Sequence, residues 1–426
     1  MPFVTRIGFQ TLAFVGAGAC VVLIAQGSGW RANPAVVERT AKARGSFFNF
    51  EEANVSPYEL PNAMEGSAGA VRTRNDWKGR RAEVLDLFRE HVYGRSPGKP
   101  EKLRFQVLEE SKSAMDGAAT LKRVAILSTQ GGREHKFELR MFLPNAASGP
   151  VPVFLVTGHR GAGNFDMTRK QKSGFWPAEE VIARNYGIAA FLASEVAPDD
   201  KERFREGAIA LFEGASTGGR PGNAWATLAA WAWGASRSLD YFETDSRVDA
   251  KRVAIVGHSR GGKAALWAGA EDERFALAIS NNSGEGGAAL GRRYFGEHLE
   301  WINERFPHWF AGNYKGFAGR IDKLPVDQHM LLALMAPRAL YVTSADEDLW
   351  ADPRGEFLSL AHASPVYQLY GEAMIQPGDM PAIDRPLIAG RRAYHVRTGG
   401  HDLTPYDWQR FMDFADTLWR GAAPRK

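Results

Sequence analysis

The stretch RVAIVGHSRGG, residues 252–262, places a serine where a nucleophile could act. The apolar run 253–256 has the pattern of a buried strand, a glycine-rich turn carries Ser259 at its apex, and a helical pattern follows over 263–268. A sharp turn of this kind pushes the serine hydroxyl out over the edge of a sheet, and the flanking small residues let strand and helix approach closely. The pattern therefore predicts that Ser259 is a nucleophile for acyl transfer.

A serine nucleophile needs a base that accepts its proton and a carboxylate that orients the base. In folds with this strand, turn and helix, the chain order is serine, acid, histidine. Of the ten histidines, His401 follows the last predicted strand through residues 398–400, on a loop that can reach back to Ser259. His258 adjoins Ser259 but points elsewhere on the turn, so we expect it to be packed or to orient another group by hydrogen bonding.

Three acidic side chains compete for the role of the acid. Asp346 and Asp348 lie in the loop that follows the predicted strand 339–343, and Glu285 lies in the glycine-rich loop 281–287 after the preceding strand. Asp348 has the loop position expected of the acid in this chain order. We therefore predict Asp348, with Glu285 and Asp346 as the alternatives.

Two kinds of pattern predict the elements that must position these residues. Three runs alternate apolar and polar side chains, which is typical of antiparallel strands; they cover residues 103–108, 119–127 and 136–142. Six later runs are short and apolar, with helical stretches such as 224–242 and 408–419 among them; they cover residues 151–156, 188–193, 253–256, 275–280, 339–343 and 393–397. We predict an α/β protein with a single α/β-hydrolase domain, in which a mostly parallel sheet has helices on both faces and the active site lies at the carboxyl ends of the strands.

The beginning of the chain has the pattern of a secretory signal. Arg6 precedes the apolar or small run 12–25, so residues 1–27 are predicted to be a signal peptide, with an uncleaved membrane anchor as the alternative. Residues 28–102 are predicted to form an arm and a helix over 77–93, and residues 103–426 the catalytic domain. Cys20 is the single cysteine, so export brings no disulfide framework and stability must come from a large core.

Charge and motifs argue against nucleic-acid-binding proteins and against enzymes that depend on a metal or cofactor. The 53 basic and 49 acidic residues give a net charge of +4, and they are interspersed without a basic cluster or a nucleic-acid motif. The sequence has no HExxH motif, no cysteine pair, no dinucleotide-binding glycine fingerprint and no phosphate loop. We therefore expect no metal, cofactor or nucleic-acid partner, and we expect a monomer.

Four segments resemble the glucuronoyl esterases, carbohydrate esterase family fifteen. They are residues 257–263, Ser283 and Gly284 with Gly286 and Gly287, residues 307–310, and Gly400 with His401, and the resemblance extends over residues 150–419. It implies an exported enzyme that hydrolyses the ester between (4-O-methyl)glucuronic acid of xylan and lignin alcohols. Fungal members carry their triad acid where this chain has Asn282, which cannot take a negative charge. Many bacterial members instead place the acid after the next strand, as Asp348 is placed here.

The resemblance also implies substrate contacts. The backbone N–H of Arg260 is placed by the turn to stabilise an oxyanion, and the resemblance implies that its guanidinium joins in. Lys263 stands one helical turn beyond Ser259, where its ammonium can reach sugar hydroxyls, as the matching lysine does in the family. Glu297, on a predicted helix, resembles an acid that contacts substrate in bacterial members.

Other residues have two interpretations. Trp350 and Trp309, with Phe310, could form aromatic walls for sugar or lignin rings, or could belong to the core. The loop 157–164 could supply a second oxyanion donor or be only a flexible turn. The same residues also suit an acetyl xylan esterase or another carboxylesterase, and a non-catalytic carbohydrate-binding protein of this fold is a third candidate.

Overall fold

The computed structural model describes residues 30–45, 47–214 and 219–421. The predicted signal segment, residues 1–27, lies outside the described residues. Within the described part of the chain, no helix is long and apolar enough to cross a membrane.

Two short and ten longer strands form two sheets. The strands are β1 Glu65–Gly66, β2 Gly69–Ala70, β3 Lys102–Ala114, β4 Ala119–Gln130, β5 Arg133–Pro144, β6 Val151–Gly158, β7 Gly187–Leu192, β8 Val248–His258, β9 Leu277–Asn281, β10 Ala339–Ala345, β11 Leu387–Ala389 and β12 Arg392–Arg397. Strands β1 and β2 pair with each other, and the other ten form one sheet in the order β11-β12-β10-β9-β8-β6-β7-β5-β4-β3. The six strands from β12 to β7 in this order are parallel, whereas β11, β5, β4 and β3 pair antiparallel to their neighbours.

Helices connect most of these strands and cover both faces of the large sheet. They are α1 Pro34–Arg44, α2 Arg74–His91, α3 Ala178–Ala183, α4 Ala193–Val196, α5 Ala208–Glu213, α6 Thr227–Phe242, α7 Arg260–Glu271, α8 Leu299–Arg305, α9 Gly312–Lys315, α10 Gln328–Ala333, α11 Pro353–His362, α12 Ser364–Gln368 and α13 Pro405–Trp419.

The central strands alternate their side chains between two hydrophobic cores, one on each face of the sheet. On β6, Val153 and Leu155 belong to the core that also holds α2, α6 and α7, whereas Phe154 and Val156 belong to the core that holds α3 and α13. Because successive side chains of a strand point to opposite faces, strands buried on both sides must be apolar throughout. This explains the continuous apolar runs in the sequence.

The predicted fold class is confirmed, with differences at the edges. The three antiparallel strands are longer than their alternating runs, and the added residues of β3 are mostly exposed, so they lack the apolar half of the pattern. Strand β11 was not predicted, because it has only three residues and none of them is fully buried. Helix α6 begins at Thr227 rather than at residue 224, because residues 221–224 form a turn before it.

Residues from the beginning of the described chain pack beside the carboxyl edge of the sheet. Helix α1 and the segment 47–55, which we call the N-terminal arm, form a small hydrophobic cluster with Phe295, Leu349 and Trp350. Helix α2, which begins with a capping box at Thr73, packs its apolar face into the core of α6 and α7. The arm thus lies against the loops that follow β9 and β10.

Candidate active site

Ser259 lies at the turn between β8 and α7, in a backbone conformation that favours glycine. Its φ of 54° and ψ of −129° place the serine in strained geometry. A side chain at Gly257 would overlap the backbone of Gly261, and one at Gly262 would lie 3.0 Å from the Cβ atom of Ser283. The small residues therefore allow strand, turn and helix to pack closely, as predicted for an exposed nucleophile.

His401 and Asp348 come from neighbouring parallel strands and form a hydrogen bond. His401 follows β12 and Asp348 follows β10, and His401 Nδ1 lies 2.6 Å from Asp348 Oδ2. The carboxylate fixes the imidazole so that Nδ1–H donates, which leaves Nε2 as the nitrogen able to accept a proton. Asp348 Oδ2 also accepts a hydrogen bond from Asn282 Nδ2 at 2.7 Å.

The two alternative acids lie elsewhere. Glu285 is buried, its Oε1 accepts a hydrogen bond from Tyr314, and burial together with nearby Asp327 raises its pKa to about 8. Asp346 Oδ1 accepts a hydrogen bond from the backbone N–H of Gly399, 2.7 Å away. The structure brings Asp348, and neither alternative, into hydrogen-bond contact with His401.

A cavity of about 360 Å³ opens in front of Ser259. It combines a hydroxyl, an imidazole, paired charges and indole rings, the chemistry expected of a site that binds a polar ring and cleaves an ester. Its lining residues are Arg44, Ser259, Arg260, Lys263, Asn282, Ser283, Gly284, Glu297, Trp301, Arg305, Phe306, Trp309, Asp348, Trp350, Ala351 and His401.

Lys263, Glu297 and Trp350 form a hydrogen-bonded chain along one wall of this cavity. Lys263 Nζ donates to Glu297 Oε2 at 2.9 Å and to the carbonyl of Glu285 at 2.5 Å, and Trp350 Nε1 donates to Glu297 Oε1 at 3.2 Å.

The predicted helical position of Glu297 is wrong. Gly296 takes a φ of 66° and turns the chain, so that α8 begins two residues after Glu297.

The guanidinium of Arg260 is held by an acid that the sequence analysis missed. Arg260 Nη1 lies 2.5 Å from Asp199 Oδ2, and Asp199 Oδ1 accepts hydrogen bonds from His308 and Trp309. Burial raises the pKa of Asp199, but the hydrogen bonds from His308 and Trp309 and the charge of Arg260 outweigh it and hold that pKa well below its usual range. Asp199 stays ionised and fixes Arg260 at the cavity.

The predicted aromatic residues have different positions. Trp350 and Trp309 both line the cavity, and Trp309 stacks on Phe306 with ring centroids 3.8 Å apart. Phe310 does not line it; this ring packs against Tyr93 in the core. Of the three predicted aromatic residues, Trp350 and Trp309 are therefore placed to contact a bound ring, and Phe310 is not.

A buried carboxyl group, also missed, holds the loop after β9. Glu356 Oε1 accepts hydrogen bonds from the backbone N–H groups of Ser283 and Gly284, and Oε2 accepts one from Ser344 at 2.6 Å. Burial raises the pKa of Glu356 to about 8 despite these hydrogen bonds. Glu356 thereby fixes the loop that carries Asn282 towards Asp348.

The loop 157–164 begins behind the turn at Ser259 between β8 and α7, which we call the elbow. A side chain on Gly261 would lie 2.9 Å from the carbonyl oxygen of Thr157, and among the described residues none of this loop lines the cavity. Arg160 of this loop contacts both Asp402 and His258. Residues 157–160 thus pack against the turn at Ser259, whereas residues 161–163 are exposed.

Other missed residues come from distant parts of the chain. Arg44, from the end of α1, places its guanidinium 4.3 Å from the centre of the Trp350 ring, and Trp301 of α8 packs edge-on against the same ring. No local motif marks these residues, whereas Asp199 could have been found as a polar residue after β7. The part of the chain that the structure describes contains no group of three or more His, Cys, Asp or Glu residues able to hold a metal ion.

Comparison with known proteins identifies the family. Residues 126–371 match the family model described as "Glucuronyl esterase, fungi". "Carbohydrate esterase MZ0003" from an unknown prokaryotic organism is 38% identical over 432 residues, which cover 95% of this chain and 98% of that protein. The 4-O-methyl-glucuronoyl methylesterase of Neurospora crassa is 27% identical over 79% of this chain and 78% of its own length.

A solved structure extends this similarity to the fold. The glucuronoyl esterase from Solibacter usitatus superimposes with a TM-score of 0.81 and 41% identity, over 86% of this chain and 100% of that one. The match therefore covers most of this chain and the whole of the solved one. This chain belongs to the glucuronoyl esterase family of carbohydrate esterases and has the α/β-hydrolase fold.

Proposed function

We propose that this protein is an exported serine esterase that hydrolyses the ester between (4-O-methyl)glucuronic acid of xylan and lignin alcohols. The observation that carries this proposal is the shared cavity, which joins Ser259 and the His401–Asp348 pair to the chain of Lys263, Glu297 and Trp350. The names of its relatives, glucuronoyl esterase and 4-O-methyl-glucuronoyl methylesterase, support the class of ester.

In the acylation step, Ser259 Oγ attacks the carbonyl carbon of the ester while His401 Nε2 accepts the serine proton. Asp348 stabilises the imidazolium that forms. The backbone N–H of Arg260 and its guanidinium, held by Asp199, stabilise the oxyanion. His401 then returns the proton to the departing alkoxide, and the glucuronoyl group remains as an ester on Ser259.

In the deacylation step, His401 takes a proton from water, and the resulting nucleophile attacks the same carbonyl carbon. The tetrahedral intermediate is again stabilised at Arg260, and His401 returns the proton to Ser259 Oγ as the acyl bond breaks, which releases the glucuronic acid and restores free Ser259. The same residues therefore serve both half-reactions, with water replacing the alcohol.

Recognition of the sugar rests on paired charges. Lys263 is buried and has three N–H donors, of which two are used by Glu297 and by the Glu285 carbonyl. The remaining donor and the lone pairs of Glu297 can bind ring hydroxyls, while Trp350 supplies an apolar surface for the ring face. A simple acetyl ester offers neither hydroxyls nor a ring for these groups.

The proposal extends to location and assembly. The predicted signal peptide over residues 1–27 supports export to the periplasm or the extracellular space. We expect the enzyme to act as a monomer without a metal or cofactor, because the proposed mechanism needs only side chains of one chain.

The test compares kcat/KM for benzyl glucuronate, benzyl galacturonate and 4-nitrophenyl acetate. We expect benzyl glucuronate to be the best substrate, because the galacturonate differs in the orientation of one ring hydroxyl, and ring hydroxyls are the groups that Lys263 and Glu297 are proposed to bind. Ser259→Ala is the matched control, and it should lower kcat by about 10⁶ while leaving the fold intact. Preference for acetyl esters would instead indicate an acetyl xylan esterase or a general carboxylesterase.

The same experiment separates the enzyme from a carbohydrate-binding protein of this fold. A serine-directed phosphonate should label wild type once, at Ser259, and should not label Ser259→Ala. Failure to label the wild-type protein would contradict the proposed mechanism.

A further inference from the structure

Arg160 joins the loop of His401 to the elbow strand. Its Nη1 lies 2.6 Å from Asp402 Oδ1, and its Nη2 lies 3.2 Å from His258 Nε2. The guanidinium also stacks on Phe175, 4.5 Å from the ring centre. Asp402 directly follows His401, and His258 directly precedes Ser259. The Arg160 side chain therefore connects the segment that carries the proposed base to the segment that carries the proposed nucleophile.

These contacts fix the protons on His258. Arginine has only N–H donors, so His258 Nε2 must be the acceptor of this hydrogen bond. His258 Nδ1–H then donates to Asn281 Oδ1, 2.5 Å away. A protonated His258 would turn a second N–H towards Arg160, and therefore this arrangement requires a neutral imidazole.

The neutral state matters because His258 packs against His401. The two ring centroids are 4.4 Å apart, and His258 is 1% exposed. The other polar or titratable groups of the described chain that face His258 are Arg160, His159, whose ring centroid is 5.7 Å away, and Asn281, which is hydrogen-bonded to Asp407. A positive charge on His258 would oppose the imidazolium that His401 forms during catalysis.

We propose that Arg160 is a positioning residue that acts on His401 in two ways. It ties the His401 loop to the elbow through Asp402, and it holds His258 as a neutral imidazole beneath the His401 ring. This inference rests on the proposed role of His401 as the base. Burial, with the nearby charge of His401, also keeps the pKa of His258 well below its ordinary value.

The first test measures kcat, KM and the pH profile of Arg160→Gln with a methyl glucuronate ester and with 4-nitrophenyl acetate. We expect kcat to fall about 10-fold to 100-fold on both esters, as for a displaced catalytic group, with little change in KM. The acid limb of the pH profile should shift to higher pH. The slope of log kcat against pH on this limb should also exceed one, because His258 now titrates in addition to His401. Restoring a slope of one in Arg160→Gln/His258→Gln would identify His258 as the second group.

Two further variants separate the parts of the proposal. Asp402→Asn removes the tether to the loop but leaves the contact with His258, so kcat should fall while the acid limb keeps a slope of one. Arg169→Gln is the matched control, since Arg169 makes the same kinds of contact, an ion pair with Glu179 and a stack on Trp176, away from His401. It should leave kcat and the pH profile as in wild type.

Histidine NMR tests the proposal without activity. Between about pH 5 and pH 8, the His258 signals of wild type should stay those of a neutral ring, and in Arg160→Gln they should titrate at higher pH than in wild type. Wild-type kcat and an unchanged His258 titration in Arg160→Gln would overturn the proposal, as would a loss confined to KM. If His401→Ala kept its activity, the proposed mechanism would fail, and the NMR titration would still decide the state of His258.

Discussion

Asn282 donates a hydrogen bond to Asp348 through the same carboxylate oxygen that contacts His401. Asn282 Nδ2 lies 2.7 Å and His401 Nδ1 2.6 Å from Asp348 Oδ2. The Asn282 amide therefore lies where the resemblance places the acid of fungal members. It donates a hydrogen bond to the Asp348 carboxylate, which follows the next strand. Asn282 Oδ1 is buried without a hydrogen-bond partner, so the amide contributes through its donor alone.

The first prediction is that Asp348→Asn loses most activity. An amide can still contact His401 but cannot stabilise its imidazolium by charge, and this substitution in a serine triad costs about 10⁴ in kcat. Steady-state kinetics on benzyl glucuronate, with circular dichroism to verify the fold, measures the effect.

The controls for this prediction are Asp346→Asn and Glu285→Gln. Asp346 contacts the backbone of Gly399, and Glu285 contacts Tyr314, so neither change removes a charge in contact with His401. Both variants should keep kcat within about tenfold of wild type, less than the loss of a triad charge. A collapse of Glu285→Gln beside an active Asp348→Asn would show that the acid has been wrongly assigned.

The second prediction is that Asn282→Glu restores part of the activity of Asp348→Asn. Position 282 is already in hydrogen-bond contact with position 348, so a carboxylate introduced there lies beside the His401 loop and can supply the missing charge. The measurement is kcat of the double variant against Asp348→Asn. Asn282→Gln in the same background is the uncharged control, and equal rates for the two double variants would contradict the prediction.

The elements that carry Ser259, Asp348 and His401 could be predicted from local patterns. Each follows a buried parallel strand, and such strands appear in the sequence as short apolar runs bounded by polar loops. Parallel strands end at one edge of a sheet, so the loops after β8, β10 and β12 lie on the same edge. Their contact depends on the strand order β12-β10-β9-β8, which the local patterns do not predict.

The supports of these residues could not be predicted, because they depend on packing between distant segments. Arg160 and Asp402 are 242 positions apart, and Glu356 reaches the backbone of Ser283 from another helix. In the sequence, an arginine or glutamate in such a role has the same kinds of neighbours as one with an exposed side chain, so the two cannot be told apart. The misplaced helix at Glu297 has a local cause, the positive φ of Gly296, which a helical periodicity does not register.

The third prediction concerns the pair of Lys263 and Glu297, whose side chains are 3% and 8% exposed. Lys263→Met leaves a buried carboxylate without its cation, which should cost about 3–5 kcal/mol in the free energy of unfolding. It should also raise KM for benzyl glucuronate at least about tenfold and leave 4-nitrophenyl acetate nearly unaffected, because only the sugar presents hydroxyls.

A double variant separates these two effects. Lys263→Met/Glu297→Gln removes both charges, so urea denaturation should show most of the stability regained while KM for the glucuronate ester remains high. Recovery of KM together with stability would mean that Lys263 serves only to hold the wall of the cavity. An equal loss on both esters would point to a distorted elbow at Ser259.

The last prediction concerns the stability of the loop after β9 as a function of pH. Burial raises the pKa of Glu356 to about 8 from an ordinary value of 4.5, so the folded state binds this proton more tightly than the unfolded state does. The contribution of Glu356 to stability is therefore fully present below pH 4.5 and falls as the pH rises towards 8, by at most about 1.4 kcal/mol per pH unit. Glu356→Gln keeps an acceptor for the Ser283 and Gly284 N–H groups but cannot ionise.

Denaturation of Glu356→Gln over this range of pH should consequently show a smaller loss of stability than wild type. Glu285, whose pKa burial also raises to about 8, accounts for a second part of the dependence, so Glu285→Gln/Glu356→Gln should be flatter still. Tyr314→Phe, which removes a hydrogen bond to Glu285 without removing a carboxyl group, is the control for a general loss of packing. If Glu356→Gln kept the full wild-type slope, Glu356 would be ionised throughout, and the hydrogen bonds donated to it by Ser283, Gly284 and Ser344 would outweigh its burial.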